Sequence, residues 1–432
     1  HIILTNFLEE ITMKKRILSV VLALCIAMSA AFAVGVYADD ANGVLRFNEN
    51  GEFTIMHLTD TQDGYPTSEK MLKYIDYMLK TYKPDIVILG GDNCVGKKIE
   101  GEENQDPAVN IERSIEQLVS VFVENKTYFT FVFGNHDHQY VDGIDIDPVG
   151  QGKVKEHLLG LYQKYGKGYC LAYDADPSLH GVGTHNLPIL ASDSNKIKFN
   201  LWMFDSGSYA ADENGKKVGY DCVREDQIAW YQEKSAALDK LAGEQVKSLA
   251  FQHIVVGDVY DNLFYESIFD LGELGRNFNG KHYSFLPKTE NFTGQLFEYP
   301  CPGYYNCGQF DAMVKQGNVL GIFSGHDHVN SYETERDGVW IINTPGATYH
   351  SYGNDLVRGS RLITINEKDT STFTSRIVTV NDAAIADETF AADVGINPTF
   401  AKIQMFFGEV AKVLGRAASP IFKVLGYLSK FA

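Results

Sequence analysis

Positive charge is what this chain has least of. Its 432 residues carry 38 Lys and Arg against 56 Asp and Glu, a formal net charge of −18. A nucleic-acid-binding face needs a basic patch or stripe. No basic run interrupts the central body, so no nucleic-acid-binding face is expected. Cysteine is also scarce, at six in the whole chain. Five would follow the N-terminal apolar stretch that holds Cys25, an odd number and too low for a disulfide scaffold. Cys301 and Cys307, close together in a Pro/Gly/Tyr loop, are the first pair to consider, and Cys170 with Cys222 the second. No internal repeat and no long low-complexity stretch appears, which excludes solenoid architectures. Neither a Gly-x-Ser-x-Gly elbow nor a Walker loop occurs, so serine-hydrolase and NTPase readings have no support.

What is present is ample apolar material. Hydrophobic residues make up 44% of the chain and aromatics 12%, enough for one large core or two modest ones. Near the start, Met13-Lys14-Lys15-Arg16 precedes an apolar stretch over 17–33 and then Val36-Tyr37-Ala38. A basic start, an apolar middle and small residues at −3 and −1 are the layout of a secretory signal. The expectation is an upstream extension and signal peptide at 1–38, with bacterial-type export to a secreted or cell-surface location. A retained membrane anchor is the other reading. The main domain is expected over 39–383, and 384–432 as a basic amphipathic helical segment. In that segment Ile403, Phe406, Phe407, Val410 and Leu414 share one helical face, among Lys402, Lys412 and Arg416. Such a face over 396–432 either contacts a membrane surface, packs on the domain or makes an oligomer contact.

In between, the pattern alternates. Strands are expected at 53–59, 86–89, 128–133, 198–204, 246–251 and 319–323, and helices at 67–81, 108–124, 153–165 and 224–241. A short hairpin is read near 169–191. Stretches 339–342, 361–365 and 372–380 read as strands closing a second sheet. The region 255–306 reads as loop, the likeliest substrate wall. Its Tyr and Phe residues at 297–310 either stack on an aromatic ester or form the loop's own small core.

Five short pieces follow or sit on these apolar runs: Asp60-Thr61-Gln62, Gly91-Asp92-Asn93, Gly134-Asn135-His136-Asp137, a lone His253, and Gly325-His326-Asp327-His328. In an α/β sheet, ligands bind outside the carboxyl ends of the strands. Carboxylate, amide and imidazole groups gathered there suit a catalytic metal centre. Hydrolysis of a phosphoester needs a nucleophilic water and stabilised phosphoryl charge, and two cations about 3.5–4 Å apart supply both.

The order and spacing resemble the calcineurin-like metallophosphoesterase superfamily, and within it the purple-acid-phosphatase-like branch. The resemblance implies a four-layer α-β-β-α sandwich of two mixed sheets flanked by helices. It implies two divalent ions, Mn, Fe, Zn or Mg, and a small or surface phosphoester substrate. Carried over residue by residue, Asp60, Gln62 and His328 would hold the first metal and Asp92 would bridge. Asn135, His253 and His326 would hold the second. His136 would act as general acid beside the leaving oxygen, with Asp137 orienting its imidazole. Two positions depart from the family. Gln62 stands where a His is usual, a neutral and weaker ligand suited to harder ions; neighbouring Asp63 is placed to compensate. Val95 stands where purple enzymes carry a tyrosinate, so no Fe(III)–tyrosinate colour is expected. A non-catalytic phosphate-binding module with a degraded first site is the alternative.

Overall fold

The structure is a computed structural model; it describes residues 43–96, 106–139, 151–268 and 275–418. The expected leader at 1–38 and the stretch past Ala418 lie outside the described residues. Residues from Leu45 onward gather into one compact unit.

Two mixed sheets carry it. The first has five strands in the order Asp369–Thr379, Gly359–Asn366, Glu52–Leu58, Ile86–Gly90, Tyr128–Val132. The second has eight, in the order Leu45–Arg46, His185–Leu190, Ile197–Met203, Lys247–Phe251, Val319–Ser324, Val339–Asn343, Glu333–Arg336, Phe292–Thr293. Alternation along each strand sorts the side chains to its two faces. Phe53, Ile55, Ile86 and Ile88 of the first sheet meet Leu201, Leu249, Phe251 and Phe323 of the second in one buried cluster. The outward residues Met56, Leu58, Val87 and Leu89 pack under helices instead. Trp202, Ala250 and Ile322 do the same on the outer face of the second sheet. Buried on both faces, these strands read as unbroken apolar runs. The layers are therefore α-β-β-α, as the resemblance implied.

The helices follow from spacing and caps. Helix Glu69–Tyr82 buries Met71, Tyr74, Ile75, Met78 and Leu79 along one stripe and stops at left-handed Lys83. Helix Pro107–Glu124 starts with Pro at its first turn and Asp106 accepting from the Ala108 N–H. Helices Gln151–Gly166 and Glu225–Ala242 stand where helices were expected.

Register decides where the chemistry can sit. Leu58 pairs with Leu89 and Gly90 with Val132, in parallel. Met203 pairs with Phe251, and Phe251 with Phe323, also in parallel. Strands running in step end in step, so their outgoing loops meet on one rim.

Four expectations give way. Val339–Asn343 pairs with Val319–Ser324 in the second sheet, whereas Gly359–Asn366 pairs with Glu52–Leu58 in the first. The three late strands thus do not close one sheet. The hairpin near 169–191 is replaced by His185–Leu190 pairing with Ile197–Met203. The region 255–306 holds a short helix, Val259–Leu263, and a three-stranded sheet of Phe264–Ser267, Lys281–Pro287 and Gly275–Phe278. Its polar, Gly-rich composition hid these short strands from sequence. Finally, the expected boundary at 383/384 falls inside helix Val380–Ala386. Phe390, Ala391 and Val394 of the next helix are buried in the core, and the Phe390 ring lies 4.7 Å from that of Tyr77.

Candidate metal centre

Every expected ligand lies just past the carboxyl end of a strand. Asp60, Gln62, Asp92 and Asn135 leave the first sheet; His253, His326 and His328 leave the second. The centre therefore straddles both sheets at their shared rim. Backbone bonds lace the loops together: Asp60 N–H donates to Gly91 O at 3.0 Å, Gln62 N–H to Asp92 O at 2.8 Å, and Gly325 N–H to His253 O at 3.1 Å. The glycines beside the ligands are steric necessities. A Cβ on Gly134 would overlap the Asp92 backbone nitrogen and carboxylate, and one on Gly325 would overlap Thr59 and come within 2.6 Å of Asp60 Oδ2.

Nine described non-glycine residues have positive φ, and four of them are expected ligands: Asp60, Gln62, Asp92 and His326. Each left-handed residue costs roughly 1–2 kcal/mol. Such strain is kept where surrounding structure fixes it for a purpose.

The half on the imidazole side is tightly gathered. His253 Nε2 lies 3.2 Å from Asp92 Oδ2 and 3.1 Å from Asn135 Oδ1. Ligand atoms of Asp92, His253 and His326 all fall within 4.8 Å of one another, and all three residues are buried. His253 Nδ1 sits 3.0 Å from Gly90 O, so its N–H donates there and Nε2 is left facing the carboxylate. On the other half, His328 Nε2 lies 3.3 Å from Asp60 Oδ1 while Nδ1 meets Tyr352 O at 2.9 Å. Ligating histidines commonly hold their second nitrogen on a carbonyl in this way.

A test of fit comes from what is left unbonded. Gln62 Oε1 and His326 Nε2 are buried and make no hydrogen bond, and Asp60 Oδ1 has only its 3.3 Å contact with His328 Nε2. A buried polar atom without a partner costs about 1–3 kcal/mol, yet two such residues, Gln62 and His326, line one cleft. Hard oxygen and borderline nitrogen donors in such a set suit divalent cations. The donor set fits divalent-cation binding.

Electrostatics agree. Burial alone would raise the Asp92 carboxyl, but His253 and then His136 hold it well below the ordinary range. Burial likewise opposes the charge of Asp60, and His328 outweighs it. His253, though buried, is pushed up to about 10 by Asp92. His326 is driven down to about 3 by burial and then by His253. The carboxylates demand positive charge, and a proton on one imidazole answers that demand at the expense of the other.

His136 lines a cleft of about 110 Å³ together with Gln62, Asp92, Tyr220, His326 and His328. Its N–H donates to Asp92 Oδ1 at 2.6 Å. The expectation that Asp137 orients this imidazole is overturned. Asp137 accepts from the backbone N–H groups of Asn93, Cys94 and Gly134 at 2.7, 3.2 and 2.6 Å. Burial and then the Asp92 charge push its carboxyl up to about 6 despite those bonds. It braces two ligand loops against each other. Gln139 Oε1, 2.7 Å from His136 Nδ1, is the group that holds the ring.

Asp63 does not compensate for Gln62. Its carboxylate accepts from Ser68 N–H and Thr348 Oγ1 and lies 3.3 Å from His350. Nor does Cys301 meet Cys307. Cys307 Sγ is 3.0 Å from Cys222 Sγ, and Cys301 lines the cleft. Tyr220 and Tyr352 were missed from sequence: their rings lie 4.3 Å from His326 and 4.2 Å from His328. A tyrosine in a loop carries no signal of its own until the loop's path is known.

The family model described as calcineurin-like phosphoesterase matches residues 53–330. The chain belongs to that family. It is 24% identical to probable inactive purple acid phosphatase 14 of Arabidopsis thaliana, covering 72% of this chain and 74% of that one. It is likewise 24% identical to probable inactive purple acid phosphatase 28 of the same plant, over 72% and 74%. Among solved structures, a dimetal phosphatase from Danio rerio aligns at 13% identity and a TM-score of 0.41, over 75% of this chain and 98% of that one. Family membership makes a hydrolase-type phosphoesterase the general class, and divalent cations the general cofactor.

Proposed function

We propose that the protein is an exported hydrolase of small or surface phosphomonoesters or phosphodiesters. The carrying observation is the convergence of seven ligand-type side chains from two sheets, with Gln62 Oε1 and His326 Nε2 left without hydrogen bonds. Asp60, Gln62, Asp92 and His328 would hold one cation; Asp92, Asn135, His253 and His326 the other. Two such cations supply Lewis acidity to a water and to the phosphoryl oxygens. The chain's own residues do the rest. Gln139 fixes His136 through Nδ1, which leaves Nε2 to donate a proton to the leaving oxygen. Asp137 keeps the Asp92 and Asn135 loops at fixed separation. The test is turnover of an aryl phosphomonoester and a diester by the folded chain with Mn²⁺, Zn²⁺, Fe²⁺ or Mg²⁺. Absence of turnover with every ion would defeat the proposal.

A second reading, a phosphate-binding module without turnover, draws support from Gln62 and from the word "inactive" in the Arabidopsis names. It expects at most one metal per chain by mass spectrometry, and phosphate binding without hydrolysis.

Membrane-surface contact through 396–432 belongs to the same proposal. Helix Pro398–Ala417 exposes Phe400, Ile403, Phe406, Phe407, Val413 and Leu414, while Ala401 and Gly408 are buried. An apolar face flanked by Lys402 and Arg416 suits an anionic lipid surface. No described helix is long and apolar enough to cross a membrane. Co-sedimentation with anionic vesicles, lost when Phe406 and Phe407 become Ser, is the check.

A further inference from the structure

The cleft over the ligands is small. At about 110 Å³ it has room for a phosphoryl group and little more, since sites for drug-sized ligands run to roughly 300–1,000 Å³. Beside it opens a second cavity of about 580 Å³. The two share Tyr220, and Cys301 of the cleft is followed directly by Pro302, Gly303 and Tyr304 of the larger chamber.

The chamber's walls are unusual in composition. Tyr220, Tyr260, Phe278 and Tyr304 line it, with Arg276 the one cation on its walls among the described residues. Tyr220 stands edge-on to His326 on its cleft side, at 4.3 Å. Its carbonyl accepts from the Tyr304 N–H at 2.8 Å, which ties the two walls together. Phe278 lies 5.3 Å from Tyr260, and Tyr260 is itself buried and hydrogen-bonded to Pro300 O. Tyr304, by contrast, is 53% exposed. The aromatic residues expected around 297–310 thus divide: Phe310 goes into the core, and Tyr304 and Tyr305 stay at the surface.

Aromatic faces with one guanidinium at the edge suit a flat ring carrying polar atoms. Stacking on such faces tolerates any planar ring, and an Arg adds cation–π and hydrogen-bonding contact. We propose that this chamber receives the planar aromatic leaving group, nucleobase or aryl ring, of a phosphoester whose phosphate lies in the cleft. The inference rests on the hydrolase reading above and adds the substrate class.

The experiment uses the full chain, metal-loaded, and compares kcat/KM for adenosine monophosphate, p-nitrophenyl phosphate and glycerol phosphate. The aromatic esters should be preferred, and Tyr304→Ala should lower the aromatic-to-glycerol ratio by about tenfold, the lower range of a lost stacking contact. Phe278→Ala is the second variant and should move the ratio the same way. An unchanged ratio in both folded variants overturns the proposal. Should the wild type turn over none of the three, calorimetry with adenosine monophosphate and with inorganic phosphate separates the two readings. Tighter binding of the nucleotide, abolished by Tyr304→Ala, would keep the chamber and end the hydrolase reading. Equal binding of nucleotide and phosphate would end the chamber.

Discussion

The two halves of the centre are built from the same rim but with different ligands. The half around His253 offers two imidazoles, an amide and a carboxylate; His253 lies within hydrogen-bonding reach of Asp92 and Asn135, and His326 within 4.8 Å of Asp92 and His253. The half around Asp60 offers one imidazole, two carboxylates and the Gln62 amide, whose oxygen makes no hydrogen bond. Imidazole binds Zn²⁺ and Fe²⁺ well, and oxygen ligands favour Mn²⁺ or Mg²⁺. The first set is richer in borderline nitrogen and the second in hard oxygen, and two positions make the difference: Asn135 against Asp60, and an imidazole against Gln62.

The comparison breaks most completely at the shared ligand. Asp92→Ala should empty both halves and reduce turnover by at least ~10⁴-fold, because a removed bridge leaves each site short of charge; metal content by mass spectrometry checks it. Loss from one half alone would show that Asp92 does not bridge. Next, His136→Ala should keep both metals and slow turnover by roughly 10²–10⁴-fold, the size of general-acid work. Released metal would reassign it as a ligand. Asp137→Ala should behave differently from either. Three buried N–H groups would lose their acceptor, at about 1–3 kcal/mol for each unsatisfied group. The expected result is a lower Tm with metal lost from the Asn135 half first.

A remote histidine sharpens the electrostatic side. His185 is buried without a carboxylate partner: Nδ1 meets Gly183 O and Nε2 meets Thr130 Oγ1, both at 2.7 Å. Burial pushes its pKa down to about 4 from the ordinary 6.5. As pH falls, the unfolded chain takes up this proton first. Stability is therefore full above about pH 6.5 and lost progressively toward pH 4, by about 3 kcal/mol. Urea denaturation of the wild type against His185→Gln over that range should show a loss about 3 kcal/mol larger in the wild type. The mildest test is Gln62→His, which should tighten Zn²⁺ at the first half by about tenfold, measured by competition with a chelator. Unchanged affinity would mean that position 62 does not face the metal.

Much of this was legible beforehand, for reasons particular residues make plain. Strands such as Ile86–Gly90 announce themselves because both faces are buried, leaving an unbroken apolar run. Ligands announce themselves because the strand end, the glycine that permits close approach and the metal-binding side chain are neighbours in sequence, as in Gly91-Asp92 and Gly325-His326. Asp137 was misread because adjacency to His136 suggested a partnership, whereas its carboxylate takes backbone amides of its own loop and of the Asp92 loop. Cys307 was misread for the same cause: its neighbour, Cys222, is 85 positions away. Asp63 sits one residue from Gln62 yet faces Thr348 and His350.

Sequence alone determined the family and the layered class and nominated seven ligand-type residues, since each of those is written in short runs that carry their own periodicity and chemistry. Tertiary structure alone decided which strands share a sheet, which buried polar atoms stay unbonded, and which aromatic rings wall the chamber beside the cleft. Those outcomes depend on register and on loop paths between distant segments, and such couplings are settled only when two sheets close over one core.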